Sequence, residues 1–285
     1  MEENREAAME LLQARMKSYT KRVDDALDRE LKLYSHSRFH EPILYSVERG
    51  KRIRPVILML TAEALRCDGD SVLGAAVAVE LLHTESIIHD DVIDDETSRR
   101  SKPPFHVKYG YSASLLSADF VFALILAIAS RYDDRRIAEE VSDAALKMAE
   151  GEYSELTMDP KSYKLSWDEY LRIVSDKTAA LFEASARLGA LIAGGDEKEV
   201  EAFSKYGKSL GIAYQLKDDL LDWRSQDKVA LCLLNTHSES EVVGKMAALA
   251  QTYAEDAKLQ LMAFPRSEPI AFLQDLADLT LHRKL

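Results

Sequence analysis

Three times the chain repeats an Asp-Asp-x-x-Asp pattern, at Asp24-Asp25-Ala-Leu-Asp28, Asp90-Asp91-Val-Ile-Asp94 and Asp218-Asp219-Leu-Leu-Asp222. On a helix, positions i and i+4 stack their carboxylates one above the other, with i+1 beside them. Like charges that close repel, so the arrangement is costly unless a cation sits among them. Neighbouring residues separate the three copies. Asp24 lies among Lys21, Arg22 and Arg29, which can pair with its cluster, so that copy reads as a solvated face. The Asp90 copy ends an apolar run over residues 72–88, where a buried helix would emerge. The Asp218 copy follows Gly207, Gly211, Ala213 and Leu216, a helix face suited to close packing. Two such clusters facing each other would make a divalent-metal site, with Asp90, Asp91, Asp94, Asp218, Asp219 and Asp222 as candidate ligands. Hard oxygen donors without a Cys or His pattern favour Mg²⁺ over zinc.

The cations are as localised as the anions. Gly50-Lys51-Arg52-Ile53-Arg54-Pro55 opens one expected helix, and Arg99-Arg100-Ser101-Lys102 directly follows the first cluster. Carboxylates beside guanidiniums can be plain salt bridges. The same order also suits a metal-bound diphosphate, whose oxygens are shared between the metal and planar arginine forks. Lys51 and Arg54, three apart, are expected on one helix face, able to bind a second anion. No Gly-x-x-x-x-Gly-Lys-Ser/Thr phosphate loop occurs, and Asp176-Lys177-Thr178 lacks the glycines.

What must position these groups is helical. Apolar residues recur at helical spacing over about 3–34, 41–49, 53–66, 71–97, 112–131, 136–157, 167–193, 197–224, 239–262 and 268–283, and no alternating strand pattern appears. The chain has only 11 Gly and 7 Pro, and the prolines fall between these stretches or in their first turn, as helix punctuation. The expectation is an all-α fold, with residues 1–285 as one domain. A net charge of −12 argues against general nucleic-acid binding, so an anionic ligand would need local cations or metal. The charged start resembles no signal peptide, and the apolar run 113–129 is expected to be too short to span a bilayer, a core helix with Asp119 inside it. Cys67 and Cys232 read as isolated thiols of a reducing, cytoplasmic setting.

At these residues the chain resembles the trans-isoprenyl diphosphate synthases, the group of geranylgeranyl and farnesyl diphosphate synthases. The resemblance runs from about residue 40 to 224 and weakens beyond. It rests on Gly50–Pro55, Glu80-Leu-Leu-His83, His89–Asp94 with Arg99-Arg100, Pro103/Pro104, His106, Tyr109-Gly110, Lys177-Thr178 and Tyr214-Gln-Leu-Lys-Asp-Asp-Leu-Leu-Asp222. It implies a helical bundle around a central hydrophobic cavity and a Mg²⁺-dependent head-to-tail prenyltransferase, commonly a homodimer. In that reading Asp90 and Asp94 hold two Mg²⁺ against an allylic diphosphate and Asp218 holds a third. Arg99, Lys177 and Lys217 contact the same diphosphate. Lys51, Arg54, His83 and Arg100 bind isopentenyl diphosphate, while Thr178 and Gln215 line the reacting tails. Stabilising a leaving group electrostatically requires no side-chain nucleophile, which agrees with these residue types.

The positions four and five before the first Asp, which form the tunnel floor in that family, are Ser86 and Glu85. Small Ser86 leaves the floor open, with Leu82, Val79 and Ala75 deeper along the helix, so a product of about C20 or longer is expected. The chain also departs from the family pattern. The loop after Asp222 is short, Ala118 precedes Asp119 where Gly is common, and Gly151-Glu152 stands where Gly-Gln is common. Lys228 or Arg224 could replace the lysine that the loop usually supplies. The alternative is a catalytically weak or regulatory subunit of a heteromeric synthase. A non-enzymatic helical scaffold fits the paired acidic and basic motifs poorly.

Overall fold

A computed structural model describes residues 2–99, 101–221, 223 and 228–282, with side chains from residue 14 onward. Its elements are α1 (Glu2–Lys32), α2 (His40–Val47), α3 (Ile53–Ala64), α4 (Leu73–Ile93), α5 (Phe105–Tyr109), α6 (Tyr111–Ala129), α7 (Arg135–Leu156), α8 (Trp167–Val174), a π-helical turn (Ser175–Ala179), α9 (Ala180–Ile192), α10 (Glu197–Leu221), α11 (Lys228–Leu234), α12 (Glu239–Leu261) and α13 (Glu268–His282). No strand occurs among the described residues, so the fold is all-α as expected. Periodicity located the long helices to within a few residues. It missed α5, five residues between Pro104 and Gly110 (φ +87°), and α11, seven residues long, because neither spans enough turns to show a period. It also merged α8, the π turn and α9 into one helix, since one wide turn hardly disturbs the apolar spacing.

The residues through Met59 together with Asp68–Val141 form one compact unit; Leu60–Cys67 and the residues from Ser142 onward form another. In the first, α4 is the central element, packed by α1, α2, α5 and α6. Residues 75–82 of α4 are all buried, which explains why this helix is apolar all round rather than amphipathic. In the second, α10 holds the centre, packed by α8, the π turn, α9, α12 and α13. Gly207 and Gly211 permit that packing. A Cβ at Gly207 would come within 2.5 Å of the Phe182 carbonyl oxygen, and one at Gly211 within 2.6 Å of Ala179 Cα. Tyr206, Phe203, Phe182 and Phe272 are fully buried in this unit, where burying a large apolar side chain is worth about 1.5–3 kcal/mol.

Helix α6 corrects one expectation. It starts at Tyr111, has 19 residues with a mean hydropathy of 2.1, and is the one helix among the described residues long and apolar enough to cross a membrane. Nor is it wholly core. Ser114, Ala118, Val121, Leu124, Ile125 and Ile128 are buried, while Leu115, Leu116, Phe122 and Leu126 are exposed beside exposed Asp119. A helix apolar on every side carries no periodic signal for which face meets solvent.

Candidate functional site

The first acidic cluster sits where α4 ends. Asp90 is partly exposed, Asp91 is buried, and Asp94 is the exposed C-cap, its N–H donating to the Asp90 carbonyl. The i, i+4 relation keeps Asp90 and Asp94 on one side of the helix and turns Asp91 away from them. There Arg99 Nε donates to Asp91 Oδ1, and Arg99 Nη2 lies 3.6 Å from Glu96. Burial pushes the Asp91 carboxyl above its ordinary value against the pull of Arg99. Arg99 is presented by a tight reversal, in which the backbones of Arg99 and Lys102 exchange hydrogen bonds of 3.0 and 3.1 Å and Ser101 takes φ +60°. Lys102 anchors this reversal by donating to the Tyr45 carbonyl and resting 3.9 Å from the Tyr45 ring centroid. A cavity of about 30 Å³ lies among Tyr45, Ile88, Asp91, Arg99, Lys102 and Phe105, large enough for about one water. Arg100 lies outside the described residues.

One turn earlier on α4 lie Ser86 and Glu85, the two positions expected to floor a tunnel. Ser86 Oγ donates to the His83 carbonyl at 3.0 Å, so the hydroxyl folds back on its own helix. Glu85 pairs with His89 Nδ1 at 3.1 Å. That hydrogen bond, helped by the nearby charges of Asp90 and Asp119, raises the His89 pKa against the effect of burial. His83 is partly buried.

The 50–55 segment departs from expectation. Helix α3 begins only at Ile53, so Lys51 precedes the helix and does not share a helix face with Arg54. The reason is Arg52, whose φ of +54° breaks the helical path. Lys51 is exposed, Arg54 partly buried and Arg52 buried. Arg52 donates to Asp24 Oδ1 (2.8 Å), Glu80 Oε1 (2.5 Å) and the Val47 carbonyl. Burial alone would lower the Arg52 pKa; Glu80 and Asp24 outweigh it and hold it above its ordinary value. The Asp24 copy is therefore not simply a solvated face. Its Asp25 pairs with Lys21 as expected (2.6 Å), whereas Asp24 reaches into a buried ion network.

The second unit carries the other cluster at the end of α10. Lys217, Asp218 and Asp219 are partly buried. Tyr170 donates its hydroxyl to Asp219 Oδ2, and Gln215 Nε2 donates to Asp219 Oδ1 at 2.6 Å. Gln215 in turn accepts from Thr178 Oγ1 at 2.8 Å. Thr178 and Lys177 occupy the π turn, a wide turn of the kind often found at functional sites. Lys177 Nζ lies 2.7 Å from both Glu152 and Glu155 of α7. Gly151 allows this approach, because a Cβ there would fall 2.4 Å from the Lys177 backbone nitrogen. Asp222 and Arg224 lie outside the described residues.

Among the described residues no three His, Cys, Asp or Glu side chains converge tightly enough to hold an ion. The donor set still fits Mg²⁺ in kind: carboxylate oxygens only, with Asp90 and Asp94 on one side of α4. Asp91 and Asp219 fit less well as ligands, since Arg99 takes the one and Tyr170 with Gln215 takes the other. Arg52, Glu80, Tyr170, Glu152 and Glu155 are the contributors that motif reading did not assign.

Sequence comparison places this arrangement. The polyprenyl synthetase family profile matches residues 36–231, more than half of the chain. The chain belongs to the polyprenyl synthetase family. A geranylgeranyl diphosphate synthase from Methanosarcina mazei is 34% identical over 220 residues, 75% of this chain and 68% of that protein. Curated relatives are longer than the matched stretch, which spans as little as 53% of others. A geranylgeranyl pyrophosphate synthetase from Pyrococcus horikoshii superposes with a TM-score of 0.87 at 25% identity, covering 97% of this chain and all of that one. A polyprenyl synthase from Caulobacter crescentus, solved with calcium and isoprenyl diphosphate, gives 0.82 at 28% identity over 96% of this chain and 97% of that one. The family's all-helical fold is that of this chain.

Proposed function

We propose that this chain is a head-to-tail prenyltransferase that condenses isopentenyl diphosphate with an allylic prenyl diphosphate and releases diphosphate. The observation that carries the reading is that both acidic clusters occur inside the family match, each at the end of a central helix and each in a unit that also carries a carboxylate-paired cation, Arg99 in the first and Lys177 in the second. Mg²⁺ held by Asp90 and Asp94, and by Asp218, would supply charge neutralisation to the departing diphosphate. Calcium in the Caulobacter relative supports a divalent site of this kind. Arg99 and Lys177 orient the allylic diphosphate, each exchanging part of its present carboxylate pairing for phosphate oxygens. Lys51, Arg54 and His83 hold the second diphosphate, with Arg100 and Lys217 as the remaining cations of the two subsites. Gln215, held by Asp219, and Thr178, which donates to Gln215 Oε1, would line the reacting tails and stabilise their developing positive charge.

The product is about C20 or longer, because Ser86 presents little volume and Glu85 is engaged with His89. A homodimer is supported by the exposed Leu115, Leu116, Phe122 and Leu126 of α6, an apolar face of the kind that marks interaction surfaces. One observation favours the second reading, a weak or regulatory subunit. Lys228, a candidate replacement for the missing loop lysine, spends its ammonium on the Leu156 carbonyl at 2.6 Å.

The test is to incubate the chain with Mg²⁺, isopentenyl diphosphate and a panel of allylic diphosphates, then chromatograph the dephosphorylated products. Prenyl alcohols of about C20 or longer, shortened by Ser86→Phe, are expected. Unchanged length in Ser86→Phe would refute the floor assignment. No product from any primer, with substrate binding intact, would favour the regulatory subunit.

A further inference from the structure

The Asp24 copy of the acidic repeat has no place in the proposed chemistry, yet Asp24 closes a buried ion triad. Arg52, its side chain 5% exposed, is held by Asp24 from α1 and Glu80 from α4, while the Val47 carbonyl takes its remaining fork. One guanidinium thus ties three segments together. It cannot itself reach a substrate. Its sequence neighbours can: Lys51 is exposed immediately before it, and Arg54 stands two residues after it. Glu80 lies one helical turn before His83 on α4, so the anchor and His83 share a rigid element.

The local backbone depends on this anchor. Arg49 and Arg52 both adopt left-handed conformations, with φ of +60° and +54°. Non-glycine residues persist there only where surroundings over-determine them, and such residues gather at ligand clamps. Gly50 is dictated by the same triad, because a Cβ would lie 2.2 Å from Arg52 Nη1 and 2.9 Å from Glu80 Oε1. A buried ion cluster is poor value as a plain stabiliser, since apolar residues of similar volume often serve as well; fixing a register is its better-attested use.

We propose that Asp24, Arg52 and Glu80 are positioning residues that set Lys51 and Arg54 in register with His83, and so shape the isopentenyl diphosphate subsite; this rests on the assignment of those three residues given above. The test compares wild type with Asp24→Ala, Asp24→Asn and Asp24→Glu, alongside Lys51→Ala. Asp24 is half exposed, so its replacement leaves the core intact. Calorimetric titration with isopentenyl diphosphate alone gives a readout independent of turnover, and steady-state KM for each substrate completes it. Asp24→Ala and Asp24→Asn weaken isopentenyl diphosphate binding about tenfold, while allylic KM and kcat change less than about twofold; Asp24→Glu restores most of the loss. Equal losses for both substrates with a lowered melting temperature, or no change in binding, would overturn the triad's positioning role. Lys51→Ala separates the two levels. If it weakens isopentenyl diphosphate binding and Asp24→Ala does not, only the triad fails. If Lys51→Ala has no effect, or wild type binds no isopentenyl diphosphate, the subsite assignment fails and the triad with it.

Discussion

The clusters at the ends of α4 and α10 share the same spacing, yet their middle carboxylates are held by different chemistry. Asp91 meets a guanidinium, whereas Asp219 accepts from a phenol and an amide. A charged partner consumes the charge of Asp91 and makes the first cluster the holder of a cation, Arg99. Tyr170 and Gln215 hold Asp219 by hydrogen bonds, and Gln215 couples the second cluster to Thr178. The cation of the second unit, Lys177, is instead held by Glu152 and Glu155 of α7. Both units therefore pair the cation proposed to bind diphosphate with carboxylates, Arg99 with Asp91 and Lys177 with Glu152 and Glu155. In the proposed function an incoming diphosphate would exchange partners with these carboxylates, which avoids leaving a half-buried cation unpaired.

The largest effects test the outer carboxylates. Asp90→Ala and Asp218→Ala each lower kcat by about a hundred- to thousandfold, the range for losing one group that stabilises transition-state charge. Equal losses would place the two clusters on the same chemical step; activity surviving in one variant would break the pairing. The middle carboxylates distinguish the two modes. Asp91→Asn costs about 1.5–3 kcal/mol in urea unfolding, toward the low end because Arg99 is a third exposed, and Asp219→Asn costs about 0.5–1.5 kcal/mol. The reverse order would contradict the charged-versus-neutral distinction. Tyr170→Phe removes one neutral donor from Asp219 and costs about 1 kcal/mol, with kcat falling more than KM rises. The smallest effect concerns Lys177. Glu152→Gln leaves Glu155 in place and tightens allylic diphosphate binding about threefold, read by calorimetry with the allylic substrate alone. Weaker binding would show that Glu152 orients Lys177 rather than competing for it.

Much of this was legible before any coordinates. Long apolar periods gave the helices, and the i, i+4 spacing gave the stacking of Asp90 with Asp94, whereas the separate pairings of Asp91 and Asp219 did not show in it. What stayed hidden has a common physical cause. Arg52 meets Asp24 and Glu80 each 28 positions away, and pairing between distant charges leaves no periodic trace. The left-handed turn at Arg52, which takes Lys51 off α3, follows from that pairing rather than from local propensity. The π turn under Lys177 and Thr178 is invisible because one wide turn hardly changes apolar spacing. The exposed side of α6 escaped notice because its sequence is apolar on every face.

The most direct test of the account is the Mg²⁺ dependence of diphosphate release from a labelled allylic diphosphate in the presence of isopentenyl diphosphate, in wild type, Asp90→Ala and Asp218→Ala. The account predicts release that rises with Mg²⁺, stops with chelator, and falls in both variants. Release that persists in chelator, or that is undiminished in either variant, would contradict the claim that both acidic clusters serve one metal-assisted ionisation.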